Sequence, residues 1–399
     1  MSMPSWITRE TFQKVLASYF KANTVDVVSF TSKGACGAGE NYTSDIFRTT
    51  ITFRKNRGDV ELLSVIVKCN SADGSKRTLA EVWNLFDKEV EMYKTTLPVI
   101  HSLLKEESTI SSNCYYTSLT PHALIIMEDL SESGYNMLSR QLGFNLEISI
   151  KVMEKMAKLH AGSILAYKKN PGVMKSYSTG LHNDADELVR KWVKNGFSAL
   201  ADACLTWPGF EQYGQKLKML GDQAMERGFQ ASKRKPGGFH VLNHGDTWVN
   251  NILIKFGLDK SVADVKFIDF QMAIFTSPAI DLHFYISSSP DTNVKLDHLD
   301  LLLDIYYSHL IVNLSRLHYT LNKVPTREEF LKDVYERSFF GLMVAVTVVP
   351  FVKADKREDG IFDNIFIDTP FRHHVFNNDI YRQHIQCLLP FYDNFGILD

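Results

Sequence analysis

The sequence predicts an α+β chain in two lobes, a small antiparallel-sheet lobe over residues 1–130 and a mainly helical lobe over residues 131–399. Three observations carry this. At 399 residues the chain exceeds one average domain. Between Asp26 and Val67, short apolar or alternating runs are separated by turn residues, as in a meander of strands. Beyond residue 130, apolar residues recur mainly at three- and four-residue spacing, the period of helices.

Residues 6–22 place Ile7, Phe12, Val15, Leu16 and Phe20 on one helical face, with Thr8 or Thr11 available as a cap. The runs VDVVSF, DIFRTTITFR and VELLSVIVKCN follow as strands, divided by SKGACGAGENYTS and KNRGD. The first of these turns holds Gly34, Gly37 and Gly39, which would let backbone amides approach a phosphate without Cβ obstruction. It lacks Gly-Lys-Ser/Thr, so it is not a Walker A loop, and an ordinary hairpin turn is the other reading. Lys68 ends the apolar run SVIVK, either as a phosphate-pairing lysine or as an edge-strand lysine facing water. Residues 79–97 read as a helix closed by Pro98, with Trp83, Phe86, Val90 and Tyr93 on its apolar face. Glu81 and Glu89 compete as its inward carboxylate.

Two further strands, 114–119 and 123–127, lead into Glu128-Asp129-Leu130. Helical patterns then cover 146–167, 185–232 with a break at Trp207-Pro208-Gly209, 295–320, 327–340 and 376–390. His160 lies beside the apolar stripe of the first of these and reads as a packed core histidine. The run from Phe339 to Val352 is broken by Pro350 and is shorter than the roughly 20 residues a bilayer span needs. It reads as a buried helix, not a membrane span.

Between the helices lies His240 to Asp281, HVLNHGDTWVNNILIKF followed by VADVKFIDFQMAIFTSPAID. Two strand-like runs each deliver an acidic residue, Asp246 after the first and Asp269 inside the second. An Asp in a tight loop can accept a hydroxyl proton while an Asn one short turn later, here Asn251, ligates magnesium. Asp269 would add the charged ligand, and magnesium favours such a small set of carboxylate, amide and phosphate oxygens. The plainer reading is a turn between core strands whose carboxylates cap loops. The spacing H-x-D-x4-N, followed within a hairpin length by an apolar residue and Asp-Phe, favours the first.

The segment His244-Gly245-Asp246-Thr247-Trp248-Val249-Asn250-Asn251 resembles the Brenner-type catalytic loop of aminoglycoside phosphotransferases and choline kinases. Ile268-Asp269-Phe270-Gln271 resembles their metal-binding segment. Together with the upstream GxGENYxS pattern, the HGDxWxxN and DFQ forms are most similar to the ecdysteroid kinase-like, or CHK kinase-like, family, and the resemblance covers most of the chain. It implies a bilobal protein-kinase-like fold and an ATP- and magnesium-dependent small-molecule kinase. Asp246 would be the catalytic base, Asn251 and Asp269 the metal ligands, and Lys68, braced by Glu89, the grip on the α and β phosphates. Gly37, Gly39 and Asn41 would cover the phosphates, and Glu128 would lie in the hinge segment, whose backbone groups face the adenine. Asp281 resembles an aspartate that opens a helix and braces the catalytic loop, a helix cap being the plainer reading. HGD in place of HRD, DFQ in place of DFG and no Ala-Pro-Glu segment disfavour protein substrates. The implied acceptor is a hydroxyl of an ecdysteroid or a similar apolar or foreign alcohol. A choline, ethanolamine or aminoglycoside kinase, or an inactive ligand-binding module, are the alternatives.

Composition narrows the field. With 44 basic against 46 acidic residues and a net charge of −2, the chain lacks the electrostatic footprint of a nucleic-acid binder. Five scattered cysteines without a CxxC pair argue against a disulfide framework or a zinc site. The opening MSMPSWITRETFQKVL reads as an amphipathic helix and not a signal peptide, so a reducing, cytoplasmic setting is expected.

Overall fold

The computed structural model describes residues 2–35, 44–56, 58–71, 81, 83–105, 109–181, 187–355 and 370–399. Helix α1 (Arg9–Phe20) starts at Thr8, whose hydroxyl accepts the Thr11 N–H while the Thr11 hydroxyl accepts the Thr8 N–H. It buries Phe12, Val15 and Leu16. Strands β1 (Val25–Gly34), β2 (Ser44–Lys55), β3 (Val60–Asn70), β4 (Cys114–Ser118) and β5 (Leu124–Glu128) form one antiparallel sheet of order β1-β2-β3-β5-β4.

The two-residue period of a strand decides what each face does. Phe47, Ile51 and Phe53 of β2 and Val65, Val67 and Cys69 of β3 pack under α1 in one core. Ile46, Ile66 and Lys68 fall on the other face and line a cleft, with Ile46 and Lys68 paired across the two strands.

After β3 comes a continuous helical stretch, α2 (Leu85–Glu91), a π turn (Met92–Thr96) and α3 (Leu97–Leu104). The helix expected over 79–97 is interrupted at the left-handed Asn84 and runs further, to Leu104; Glu81 is helical, and residues 79, 80 and 82 lie outside the described residues. Pro98 does not close it. The turn before it widens, so that the Leu97 N–H bonds back to the Met92 carbonyl, and the proline sits in the first turn of α3, where a missing N–H costs nothing.

The short strand β6 (Tyr135–Asn136) precedes α4 (Leu146–Lys169), α5 (Glu187–Thr206), α6 (Glu211–Leu220) and α7 (Ala224–Ser232). Then come β7 (Val241–Asn243), β8 (Ile252–Phe256), β9 (Val262–Phe267) and β10 (Ile274–Thr276). β6, β8 and β9 form one small sheet, and β7 pairs with β10. The rest is helical: α8 (Ala279–Ser288), α9 (Thr292–Asp297), α10 (Leu299–Arg316), α11 (Arg327–Glu336), α12 (Ser338–Thr347), α13 (Val349–Lys353), α14 (Pro370–Asn377) and α15 (Asp379–Asn394). The helix expected over 295–320 is split at His298 into α9 and α10. The apolar run becomes α12 and α13, with Pro350 in the first turn of α13 and almost every side chain buried. Among the described residues no helix is long and apolar enough to cross a membrane.

Helix α4 is the spine of this helical part. It packs on α10 and on β7 and β9, so the small strands that flank the Asp246 and Asp269 loops rest on a buried helix.

Candidate active site

A cleft of about 330 Å³ lies between the five-stranded sheet and the small strands. Ile46, Ile66, Met127, Leu253 and Ile268 give it apolar walls, and Lys68, Glu89, Asn251 and Asp269 meet at one end.

Lys68 is 2 % exposed and Glu89 1 %. The Lys68 Nζ stands 2.5 Å from Glu89 Oε2 and 2.8 Å from Asp269 Oδ1. Charges so deep persist only when paired. Burial pulls the Lys68 pKa down, but Asp269 and Glu89 outweigh it and hold the ammonium charged. Burial also raises the Glu89 carboxyl, against the attraction of Lys68. Glu89, and not Glu81, is the partner: the left-handed Asn84 separates the two, Glu81 is exposed and Glu89 is buried on the inward face of α2. Phe86, Glu89, Val90 and Tyr93 then share the inward face.

The catalytic-type loop hangs from β7. Gly245 adopts φ +80°, and a Cβ there would stand 2.1 Å from the Met272 carbonyl oxygen, so the turn demands glycine. Asp281 fastens the loop: its two carboxylate oxygens accept the backbone N–H groups of His244 (2.7 Å) and Gly245 (2.8 Å). It lies inside the first turn of α8, whose N-terminal residue Pro278 makes no side-chain cap, so Asp281 braces the loop and does not cap its own helix. His160 is fully buried, 3.1 Å from Asp281 through Nε2 and 2.7 Å from the Tyr306 hydroxyl through Nδ1. It is a core histidine, as expected, and it also supports the brace. Asn243 adds a further tie, accepting the Asp281 N–H at 3.1 Å.

Asp246 is half-buried. Asn251 Nδ2 donates to its backbone oxygen (3.0 Å) and to its Oδ2 (2.9 Å). Burial and the neighbouring Asp269 push its carboxyl up to about 8, against hydrogen bonds from the Asn251 and Trp248 side chains.

Asp269 is not inside a strand, as the sequence suggested. It follows β9 at φ 65°, ψ 66°, a left-handed conformation that an aspartate tolerates better than most residues. That turn aims its carboxylate at Lys68 and drops Phe270 into the core between Tyr93 (ring centroids 6.1 Å) and His244 (4.5 Å).

The donor set fits a magnesium ion. Asn251 spends its amide hydrogens on Asp246, which leaves the amide oxygen as its remaining ligand atom. Asp269 has one oxygen on Lys68, and among the described residues no hydrogen bond engages the other. Two hard oxygens beside an open cleft leave room for the phosphate and water oxygens magnesium prefers.

At the other end of the cleft, the Glu128 carboxylate accepts the Asn113 N–H (3.1 Å), the Asn113 side-chain amide (2.9 Å) and the Ser133 hydroxyl (3.1 Å). Its side chain therefore holds the strand junction together and is not free for a ligand. Asp129, missed by the sequence reading, binds Arg48 and Ser64, each at 2.7 Å, which ties β2 and β3 to the segment after β5. Nothing in the spacing of these residues marks them, since they meet only once the sheet forms. Gly37, Gly39 and Asn41 lie outside the described residues.

No curated protein matches the chain significantly. The profile of the ecdysteroid kinase-like family matches residues 38–319, more than half of the chain and a span that includes Lys68, Glu89, Asp246, Asn251, Asp269 and Asp281. The chain with this lysine-centred cleft belongs to the ecdysteroid kinase-like family, which implies kinase-like phosphotransferase activity in general.

Proposed function

We propose that this protein transfers the γ-phosphoryl group of ATP to a hydroxyl of an apolar alcohol, an ecdysteroid or a foreign compound of similar character. One observation carries the reading: Lys68 bridging Glu89 and Asp269 at 2.5 and 2.8 Å, in the cleft that also holds Asn251 and its contact to Asp246.

The apolar walls of the cleft suit an adenine ring, and the Lys68 ammonium, held in place by Glu89, grips the α and β phosphates. Asn251 and Asp269 would hold magnesium, which would supply charge neutralisation for the triphosphate. Asp246 orients the acceptor hydroxyl and takes its proton as the phosphoryl group departs. The Asn251 amide holds the Asp246 carboxylate in place for that task. Gly37, Gly39 and Asn41 are proposed to cover the phosphates.

An apolar acceptor is favoured by what stands around the loop. Trp248 lies two residues beyond Asp246, and Met272, whose carbonyl abuts Gly245, clusters with Leu85, Trp83 and Leu181. Phosphorylating a steroid-like alcohol turns a membrane-permeable molecule into a charged one, which fits storage or detoxification in the cytoplasm.

The test is to incubate purified protein with labelled Mg-ATP and a panel of ecdysteroids, plant phenols, choline, ethanolamine and aminoglycosides. Transfer to an ecdysteroid or phenol is the expected result. Transfer to the cationic amines alone would overturn the apolar-alcohol reading, and magnesium-dependent nucleotide binding with no transfer would favour an inactive ligand-binding protein.

A further inference from the structure

The helix that carries Glu89 is poorly fastened by its own sequence. Helix α2 spans Leu85–Glu91, starts at a left-handed Asn84 that makes no side-chain cap, and passes directly into a π turn. The helical stretch continues to Leu104, but an uncapped first turn after a left-handed residue is weakly held by its own bonds and depends on contacts from outside. What holds it is a strap from the helical part of the chain, residues 171–181, which follows α4 and runs along β10.

The strap is fixed to the catalytic strands at one side: the Phe275 N–H donates to the Tyr177 carbonyl at 2.8 Å. On its other side it reaches the Glu89 helix twice. The Tyr177 hydroxyl is 2.7 Å from the Thr96 hydroxyl, both side chains being fully buried. The Lys88 Nζ donates to the Thr179 carbonyl at 2.6 Å. Leu181 completes the contact by packing with Leu85, Trp83 and Met272.

Lys88 is the unusual member. It is 5 % exposed, and among the described residues it has no carboxylate partner; the Thr179 carbonyl is its hydrogen-bond acceptor. Burying an ammonium without a counter-ion is costly, and burial lowers its pKa to about 8. A hydrocarbon side chain would fill the space at less cost but would not bond to the strap. Lys88 is also the immediate neighbour of Glu89, so fixing the one fixes the other.

We propose that Lys88 is a positioning residue for the nucleotide site: its bond to the Thr179 carbonyl pins α2 to the strap and so keeps Glu89 on Lys68 before any nucleotide arrives. The clamp rests on the phosphotransferase reading for its purpose but not for its physics, and the two can fail separately.

The test is a Lys88→Met variant, read first by hydrogen exchange of the apo protein. Amides of residues 85–96 should exchange about tenfold faster than in the wild type, the factor one buried hydrogen bond is worth, while those of α4 stay unchanged. The affinity for Mg-AMP-PNP should fall by about the same factor, with turnover at saturating nucleotide within about twofold of wild type. A Tyr177→Phe variant, which removes the other strap contact and keeps the ring, should show the same local acceleration and guards against a Lys88 variant that fails to fold. Unchanged exchange over 85–96 in both variants would overturn the clamp, as would acceleration spread through the whole chain. Local acceleration with unaltered nucleotide affinity would also overturn it. A wild type that binds no Mg-AMP-PNP would contradict the phosphotransferase reading instead, with the exchange data still deciding whether Lys88 holds the helix.

Discussion

In the proposed mechanism Lys68 supplies charge and Asp246 orientation. Lys68 is locked between two carboxylates, while Asp246 has a neutral amide and an indole as hydrogen-bond partners, and burial with the like charge of Asp269 raises its pKa against these and Lys68. An Asp246→Asn substitution keeps the side-chain shape and removes the proton acceptor. It should leave Mg-ATP affinity nearly unchanged and lower turnover by about two to four orders of magnitude, the usual range for a positioned base. Steady-state kinetics with whichever alcohol accepts phosphate decides this, and near-normal turnover would remove Asp246 from the mechanism. At this scale the sequence singled out Lys68, Asp246, Asn251 and Asp269, which the fold brings near one another, and left one choice open. Glu81 and Glu89 both fitted a helix read as 79–97, and the break at the left-handed Asn84 separates an exposed Glu81 from a buried Glu89.

The elements around the loop explain why it holds its shape. Gly245 turns at positive φ against the Met272 carbonyl, and Asp281 collects the two N–H groups of the loop from the first turn of α8. Gly245→Ala should destabilise the fold by about 3 kcal/mol, combining left-handed strain with displacement of a packed carbonyl. Asp281→Ala leaves those two buried N–H groups and His160 without their acceptor and should cost about 3 to 5 kcal/mol. Chemical denaturation of each variant measures both losses; stability within experimental error of wild type would refute the account of the brace. The strands, the first helix and α4 were legible because their apolar periods are long. The π turn that lets a helix pass through Pro98 was not, since it depends on a local change in hydrogen-bond register that no periodicity encodes. The left-handed turn at Asp269 escaped for the same reason, a single residue's φ being invisible in a strand-like run.

Across the whole molecule, the site is assembled from distant parts of the chain: Lys68 and Asp269 meet although 201 residues separate them. Motif spacing named both, but their contact, the Arg48–Asp129 tie and the strap over the Glu89 helix arise only from packing. The account makes the nucleotide site depend on a divalent cation, because a triphosphate would otherwise approach Asp246 and Asp269 with like charge. The measurement that tests this most directly is calorimetric titration of a non-hydrolysable ATP analogue into the wild type and an Asp269→Asn variant, each with magnesium and in EDTA. The account predicts binding to the wild type that is at least about tenfold tighter with magnesium, a difference largely lost in the variant. Equal affinity in EDTA, or no binding to the wild type in either condition, would contradict it.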